Sequence, residues 1–543
     1  MTPGTDSIEG VVSSVNWVRR TVGFVVRFSR PIVDAQRLPP QPGEKAPRTV
    51  LSFDLDSGGE LLAKAALSTV DAAGARRNLG EVPGWDFDGV ARAADAEWGA
   101  LLARVAIAAT PEQQRIFATA LYHLCLHPSV VSDIDGRYRG PTGAVAVARP
   151  GGYFSTISLW DSFRAVNPLF TLIAPERVDA FVGTLLDHHK AQGYLPLWPI
   201  WGAETHCMIG NPALPVIADA WAKGFRGFDG REALAAMVAT STRDHPLSDW
   251  SALDRYGDYP FDKFPNEAVS RTLEAGIGDA ATARMAAVLG DGAAAGRFGT
   301  RAGNYRKLID PDTRLARGRD SNGAWRTPFD PLQTTSPLGT PGDYTEANAW
   351  QYSWTPALHD VAGLIAAMGG RAAFTGMFDR FSALKGKGDD RFQGQEATIG
   401  QYAHGNEPSH HIAWLYAFTD APWRGHALVR RIAQEFYRDT PDGIMGNEDC
   451  GQMSAWYIFA TLGFYPVDPS SATYVLGAPL VEHATLTLAG GKRLVIRACG
   501  NSARRPYAAA VTLDGRRVGP VVAHRDLANG GLLEFEMHES AAP

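Results

Sequence analysis

The order of apolar and polar residues along the chain predicts strands, then many helices, then strands again. Between about residues 8 and 70 the pattern alternates or carries β-branched runs, as in VVSSVNWVRRTVGFVVRFSRPIV and RTVLSFDL, which is typical of strands. From about residue 95 apolar residues recur three or four positions apart, which predicts helices, and Thr110-Pro111-Glu112 is typical of a helix start. From about residue 472 the strand pattern returns in TYVLGAPL, HATLTLA and KRLVIRAC.

This order predicts a multidomain α+β fold in which a helical toroid is packed against a β-sandwich. A length of 543 residues exceeds what one ordinary hydrophobic core holds. Long loops rich in Gly, Pro and aromatic residues separate the predicted helices, and loops of that length commonly carry function. We predict a partial β-sandwich over residues 1–70, a linker over 71–94, the toroid over 95–470 and a C-terminal β segment over 471–543.

Composition and charge exclude several classes of function. The chain has 52 basic and 58 acidic residues, a net charge of −6, which offers no footprint for nucleic acid or an anionic membrane. No run of 18 apolar residues is present, so no membrane span is predicted. The first thirty residues lack the pattern of a secretory signal, so at face value the chain is expected to be cytoplasmic. Four cysteines without a CxxC pair predict neither a disulfide framework nor a zinc site.

The aromatic content favours a carbohydrate site. The chain contains 14 Trp and 16 Tyr residues, many of them next to Gly, Pro, Asn, Asp or Glu. Flat apolar rings contact the C–H faces of sugars, and neighbouring polar groups bind the hydroxyls.

Glu346, in YTEANAWQYSW, is a candidate general acid. The surrounding indole rings are expected to desolvate the carboxyl group, which raises its pKa and keeps it protonated. The same residues are equally compatible with a carboxylate that caps the helix predicted to follow.

Asn406 and Glu407, in HGNEPSHHIAWLY, are candidate metal ligands. A carboxylate with amide or carbonyl oxygens suits a hard cation such as Ca²⁺. Zinc is disfavoured, because His410 and His411 are adjacent rather than three or four positions apart and no HExxH motif is present. A helix N-terminus with Glu407 near its cap is the alternative.

Glu448 and Asp449, in GIMGNEDCGQMSAWY, are candidates for an ionised general base. A carboxylate at the start of a helix is stabilised as an anion by the helix dipole. An exposed acidic turn is the alternative. Carboxylates in three separate loops, one of them lined by aromatic rings, fit glycoside hydrolysis better than other reaction classes.

Six long motifs of the chain are individually distinctive. They are HPSVVSDIDGRYRG, SLWDSFRAVNPLFTLIAPE, GYLPLWPIWGAETHCMIGN, EANAWQYSW, IGQYAHGNEPSHHIAWLY and PDGIMGNEDCGQMSAWY. These motifs resemble glycoside hydrolase family 92, the calcium-dependent, inverting exo-α-mannosidases. The similarity runs from about residue 62 to the end of the chain, and it implies an N-terminal β-sandwich packed on an (α/α)6 toroid.

The resemblance implies a role for each matching residue. Glu346 corresponds to the general acid and Asp449 to the general base, while Asn406 and Glu407 lie in the loop that supplies Ca²⁺ ligands. The positions implied for substrate binding are Trp160, Asp161, Trp198, Glu204, Glu448, His404 and His411.

The implied reaction is hydrolysis of terminal α-linked mannose, with the α-1,2 linkage foremost, from N-glycans or mannans. Mannose O2 and O3 form a cis pair that can chelate Ca²⁺ and flatten the ring towards the transition state. Inversion requires a water between base and sugar, so we expect the carboxyl groups of Glu346 and Asp449 to stand roughly 6.5–9.5 Å apart.

Two alternatives to this function stay open. The early Gly-rich segment of the HGGGG…PFG type has no counterpart before Ile8, so the sandwich is expected to lack N-terminal strands. One alternative is therefore a non-catalytic protein that still binds mannose. The family resemblance also implies export to the periplasm or medium, which is expected here only if the N-terminus is incomplete. The other is a mannosyl-phosphate phosphodiesterase, which Glu346 disfavours, because a Gln at this position is associated with that activity.

Overall fold

The chain forms two compact units that interleave along the sequence. The first comprises Met1–Leu101, Ser129–Thr156 and Pro199–Thr205, and the second comprises Leu102–Pro128, Ile157–Trp198 and His206–Pro543. The computed structural model describes residues 2–39, 41–43, 48–57, 59–246, 248–385, 395 and 397–540. Met1 of the predicted sandwich and residues 541–543 of the predicted C-terminal segment thus lie outside the described residues.

The first unit contains an antiparallel sheet built from the β-branched segments near the N-terminus. Its strands are ordered Thr2–Pro3, Ser7–Val15, Arg19–Phe28 and Ala63–Ser68. Ser7 pairs with Arg27 and Val15 with Arg19, so the first long hairpin closes at residues 16–18. A separate hairpin joins Ile32–Leu38 to Arg48–Phe53.

The predicted linker is largely helical. Helix Ala72–Asn78 begins where the Asp71 carboxylate accepts a hydrogen bond from the Gly74 amide at 2.6 Å, a standard N-cap. Ala75 of this helix and Leu79, which directly follows it, pack on Val25 of the sheet. A second helix, Phe87–Leu102, has no buried residue.

Three small two-stranded sheets complete the first unit. Tyr138 and Tyr153 stack in its second core at 3.7 Å between ring centroids. The strand pairs are Arg137–Arg139 with Val145–Val147, Ser129–Val130 with Phe154–Ser155, and Pro199–Ile200 with Ala203–Glu204.

The second unit is mainly helical, as the apolar spacing predicts. Thr110 starts its first helix with a capping box shared with Gln113, which confirms the predicted helix start. The helices are Pro111–Leu124, Leu159–Ser162, Val166–Ile173, Pro175–Gln192, Ala213–Ala222, Gly230–Thr240, Trp250–Tyr256, Ala268–Leu289, Gly292–Ala302, Ala349–Tyr352, Val361–Ala367, Arg371–Ala383, Pro422–Phe436, Gln452–Leu462 and His524–Ala528.

Helix Ala268–Leu289 is the longest of this unit and is buried on most of its surface. Its sequence is rich in Ala and Gly, so neighbouring helices approach it closely on several sides. Gly290, with φ of 81°, ends the helix in the left-handed conformation that favours glycine. A buried helix of this kind can hold polar side chains only where partners satisfy them.

The C-terminal segment forms sheets, as predicted, but it recruits one strand from the predicted toroid. Val105–Ala108 pairs with His483–Thr487, although its surroundings predict a helix. Pairing with this strand, which suits the β-branched Val105 and Ile107, overrides the helical pattern of the flanking residues. The strands of this sheet are ordered Arg516–Arg517, Tyr507–Leu513, Gly531–His538, Arg493–Arg497, His483–Thr487 and Val105–Ala108. A second sheet contains the strands Phe464–Tyr465, Thr473–Leu476 and Val521–Ala523.

Among the described residues, no single helix has both the length and the apolar character needed to cross a membrane. Val361–Ala367 and Arg371–Ala383 meet these limits only when taken together, and they are bent by 88° at the break between them.

Candidate active site

Three carboxylates from distant parts of the sequence meet in the second unit. Ligand oxygens of Asp161, Glu407 and Asp449 all lie within 4.8 Å of one another. Asp161 and Glu407 are each only 3% exposed, and Asp449 is half-buried. Buried acidic groups at this spacing are costly unless protons or a cation neutralise them.

Asp161 is held by its own short helix. Leu159–Ser162 forms a single turn, and the Ser158 hydroxyl just before it donates a hydrogen bond to the Asp161 carboxylate. The positive charge of Arg164 also favours the ionised form of Asp161. The polar residues of this turn are buried and therefore fix its orientation.

Glu407 lies in the first turn of a short 3-10 helix, Glu407–Ser409, which Pro408 stiffens. The Asn406 side chain does not cap this helix; its amide nitrogen donates to the backbone carbonyl of Glu346 at 2.9 Å. The loop that carries Glu407 is therefore tied directly to the candidate general acid. In the described part of the chain, Glu407 Oε1 is buried without a hydrogen-bond partner.

Asp449 sits in a strained turn. Asp449 and Cys450 have φ values of 46° and 54°, and Gly451 follows at 93°. This left-handed conformation costs non-glycine residues conformational free energy, and such backbone strain is commonly found at functional sites. Glycine is required at position 451, because a Cβ atom there would lie 2.8 Å from the Leu124 Cα.

The three carboxylates have raised pKa values. Burial is the main cause for each, and the pKa values of Asp161 and Glu407 are raised well above the ordinary range. The charge of Asp449 adds to the shift of Asp161, and the charges of Asp161 and Asp449 add to that of Glu407. The cluster thus favours bound protons or a bound cation at neutral pH.

The backbone of Glu346 is positioned by hydrogen bonds and has a φ of 50°. Its carbonyl accepts from Asn406 and from the Gln395 side chain, at 2.9 and 3.0 Å. The helix that follows, Ala349–Tyr352, is capped by Asn348, whose side chain accepts from the Gln351 amide. The cap of this helix is therefore Asn348 rather than Glu346.

Glu448 points to different partners from those of Asp449. Its carboxylate accepts hydrogen bonds from the amide and hydroxyl of Ser454, each at 2.9 Å, and Ser454 lies in the first turn of helix Gln452–Leu462. His123 Nδ1 lies 2.9 Å from the same carboxylate, and this contact raises the pKa of His123. These contacts favour a supporting role for Glu448, which was predicted to bind substrate.

The two predicted histidines are buried and hydrogen-bonded. The Tyr437 hydroxyl donates its proton to the Met453 carbonyl. The same hydroxyl oxygen therefore accepts a hydrogen bond from His404 Nε2 at 2.8 Å. On the other side of the ring, His404 Nδ1 accepts a hydrogen bond from the Tyr402 hydroxyl at 2.8 Å. Both ring nitrogens of His404 are thus engaged, which favours positioning over sugar contact. His411 Nε2 contacts the Trp354 carbonyl at 2.9 Å, and burial lowers the pKa of His411 to about 3.

The remaining predicted sugar contacts are placed as follows. Trp160 is 1% exposed, and its indole N–H donates to Glu274. Trp198 is half-buried and directly precedes the hairpin Pro199–Ile200 with Ala203–Glu204. Glu204 is half-buried and belongs to the first unit.

Three further residues support the site and are missed by sequence reasoning. Gln452 accepts from the Ala165 amide at 3.0 Å, and its side-chain amide contacts His410 at 3.1 Å, which joins the Asp161 and Glu407 segments. Gln452 and Ser158 lie inside the quoted motifs, so their proximity to acidic residues is a usable signal. Glu274 lies in an ordinary helical pattern, and nothing in the sequence marks it.

Comparison with known proteins identifies relatives across the whole chain. The glycosyl hydrolase family 92 catalytic domain matches residues 74–539. A curated protein from Arthroderma benhamiae, named an uncharacterized secreted glycosidase, is 25% identical over 537 residues that cover 90% of this chain. The chain spans 62% of the length of that relative.

Solved structures give a consistent result. A family GH92 α-mannosidase from Bacteroides thetaiotaomicron in complex with mannoimidazole is 34% identical, with a TM-score of 0.93 over 99% of this chain and 73% of that one. A family GH92 inverting mannosidase from the same species is 29% identical, with a TM-score of 0.88 over 99% of this chain and 76% of its own. The predicted fold class, a helical domain with a β domain, is confirmed. The chain belongs to glycosyl hydrolase family 92.

Proposed function

We propose that the protein is a Ca²⁺-dependent, inverting exo-α-mannosidase that hydrolyses terminal α-linked mannose. Its family and its likeness to α-mannosidases support the substrate class. The observation that carries the proposal is the buried cluster of Asp161, Glu407 and Asp449, tied through Asn406 to Glu346. N-glycans or mannans supply such residues, and the α-1,2 linkage is the first to test.

The carboxylate cluster fits a hard divalent cation. Its donors are oxygens, the ligands that Ca²⁺ prefers, and Glu407 Oε1 has no partner among the described residues. Glu407 and Asp161 are the side chains we propose as ligands, with Asn406 holding the loop. When bound, the ion would chelate two sugar hydroxyls and favour ring distortion towards the transition state.

The proposed reaction uses two carboxyl groups. Asp449 accepts a proton from a water on the face opposite the leaving group, while Glu346 donates a proton to the glycosidic oxygen. The strained turn at Asp449 directs its carboxylate into the cluster, because the next two residues continue the left-handed backbone. The carbonyl contacts of Glu346 hold its segment beside the loop that carries Glu407.

We propose that this chemistry takes place outside the cytoplasm. The fungal relative is named as secreted, and α-mannosides of glycans and cell-wall mannans are extracellular materials. Fractionation of the native organism, with the protein followed by antibody, tests this. Recovery only with cytoplasmic markers would contradict it.

The function is tested by assaying an aryl α-mannoside and α-1,2-mannobiose before and after chelation. We expect both substrates to be hydrolysed, EDTA to abolish turnover, and added Ca²⁺ to restore it. Calorimetric binding of mannose without turnover would support a non-catalytic remnant instead. Cleavage restricted to phosphate-capped mannose would support the phosphodiesterase.

Glu346→Gln is expected to affect substrates according to their leaving groups. Turnover of mannobiose should fall about 10²–10⁴-fold, because its poor leaving group needs a proton in the transition state. A dinitrophenyl α-mannoside needs no proton and should retain most of its rate. The ratio of the two kcat/KM values measures the effect. An equal loss on both substrates would contradict the assignment of Glu346 as the acid.

The stabilisation by Ca²⁺ is expected to depend on pH. The raised folded-state pKa values of Asp161, Glu407 and Asp449 contribute stability to the metal-free protein at low pH, below the unfolded values of about 4. This contribution is lost as the pH rises through the raised values, because the folded state must then give up protons. Ca²⁺ should therefore raise the Tm far more at pH 7.5 than at pH 5, as measured by scanning fluorimetry. An equal shift at both pH values would contradict this.

A further inference from the structure

Glu274 connects two segments of the candidate site. It lies within the buried helix Ala268–Leu289, and the Trp160 indole N–H donates to its two carboxylate oxygens at 3.1 and 2.9 Å. The Tyr352 hydroxyl donates to Oε1 at 2.6 Å. Trp160 directly precedes Asp161, and Tyr352 ends the short helix that follows Glu346. One carboxylate therefore bonds the segment of the metal cluster and the segment of the acid.

A buried positive charge completes this arrangement. The Arg164 guanidinium lies 3.6 Å from Glu274, and its Nε donates to the Trp160 carbonyl at 3.1 Å. The two side chains are 1% and 4% exposed. One indole N–H, one phenolic O–H and one cation thus converge on Glu274, which is more than an isolated ion pair needs.

The same helix carries a second buried acid with no such connection. Asp279 accepts two hydrogen bonds from Arg301, at 2.6 and 2.7 Å, and Arg301 belongs to the neighbouring helix Gly292–Ala302. Both acids are nearly fully buried and paired with arginine. Asp279 therefore serves as a control for Glu274. Its carboxylate connects two helices to each other and has no hydrogen bond, among the described contacts, to the turns that carry Asp161 and Glu346.

We propose that Glu274 is a positioning residue for the reaction, which holds the Asp161 turn and the Glu346 segment at their working separation. It acts through Trp160 and Tyr352 and does not contact the substrate. The proposal rests on the proposed function, because the separation of the Asp161 turn and the Glu346 segment matters for catalysis only if the general acid and the metal cluster act on the same sugar. Groups that orient a metal ligand from behind commonly matter nearly as much as the ligand itself.

The test compares Glu274→Gln with Asp279→Asn. Each variant replaces, on the same helix, one buried carboxyl group that faces an arginine, and Arg301 keeps Asp254 as a second partner at 3.3 Å, so both are expected to lower the Tm. At saturating Ca²⁺, Glu274→Gln should also lower kcat on mannobiose about 10–100-fold while sparing a dinitrophenyl mannoside, with little change in KM. Asp279→Asn should leave the ratio of the two rates unchanged.

Calcium calorimetry gives a readout that does not depend on turnover. Glu274→Gln should weaken Ca²⁺ binding about tenfold, because the Asp161 turn is less well oriented, whereas Asp279→Asn should not. If the wild-type protein shows no turnover, the proposed function fails, and this titration still tests the connection to Asp161. Equal Ca²⁺ affinities in the two variants, with unchanged rate ratios, would show that Glu274 is structural only.

Tyr352→Phe keeps the test decisive if Glu274→Gln does not fold. It removes one hydroxyl and retains the ring, so only the bond to the acid segment is lost. We expect the rate on mannobiose to fall about tenfold relative to the dinitrophenyl substrate. An unchanged ratio in a folded Tyr352→Phe protein would overturn the connection to Glu346.

Discussion

Asp449→Asn is expected to lower the hydrolysis of every α-mannoside about 10²–10⁴-fold, whatever its leaving group. In its proposed role Asp449 acts on the water rather than on the departing group, so a good leaving group cannot compensate for its loss. Asparagine has almost the same size and keeps the strained turn, since Asn tolerates a left-handed backbone. The variant should therefore fold normally, and steady-state kinetics on the two substrate classes measure the effect.

Asp442→Asn is the matched control for this prediction. Asp442 lies on the same loop and is exposed, so the same chemical change there should leave kcat unaltered. Azide offers a further test, because it is a nucleophile that needs no base. Added azide should restore turnover of a dinitrophenyl mannoside by Asp449→Asn and yield a β-mannosyl azide. A residual activity within threefold of wild type would contradict the role of Asp449.

Glu407→Gln is expected to weaken Ca²⁺ binding at least 100-fold and to abolish turnover at micromolar Ca²⁺. The substitution removes one of three clustered carboxylates and retains the shape of the side chain. Because burial and neighbouring charges already disfavour the ionised Glu407, the metal-free variant should be no less stable than the wild type. If Glu407→Gln loses Ca²⁺ binding while the metal-free variant is as stable as the wild type or more so, Glu407 is a binding residue. A structural residue would lower the stability of the metal-free protein.

Calorimetry and thermal unfolding in EDTA measure the two effects of Glu407→Gln. The control is Glu435→Gln, on the exposed face of helix Pro422–Phe436, where the carboxylate pairs with Arg431 at 2.7 Å. This control should bind Ca²⁺ as the wild type does. Wild-type Ca²⁺ affinity in Glu407→Gln would contradict the assignment of the cluster as the metal site.

The sequence predicts the secondary structure well where periodicity is strong. Helix Pro175–Gln192 and the strands after residue 472 follow their apolar patterns directly. Val105–Ala108 is an exception, because its partner His483–Thr487 is hundreds of residues away and pairing decides its conformation. Local pattern cannot report a contact of that range.

The site is predicted in its parts but not in its assembly. Motifs identify Asp161, Glu407 and Asp449 separately, yet Asp161 and Asp449 are 288 positions apart (449 − 161), and only the fold brings them together. His404 looks like a site residue in the sequence, whereas both its ring nitrogens are engaged by tyrosines. Glu274 has the opposite character: its role depends on two distant side chains that no local pattern reveals.

The anomer that forms first reports most directly on whether a water activated by Asp449 attacks mannose opposite the leaving group. Proton NMR of an aryl α-mannoside during hydrolysis by the Ca²⁺-loaded protein distinguishes the two anomers before they equilibrate. The geometry proposed here predicts β-mannose as the initial product, with α-mannose growing only at the rate of mutarotation. Initial release of α-mannose would mean net retention and would contradict the roles assigned to Asp449 and Glu346.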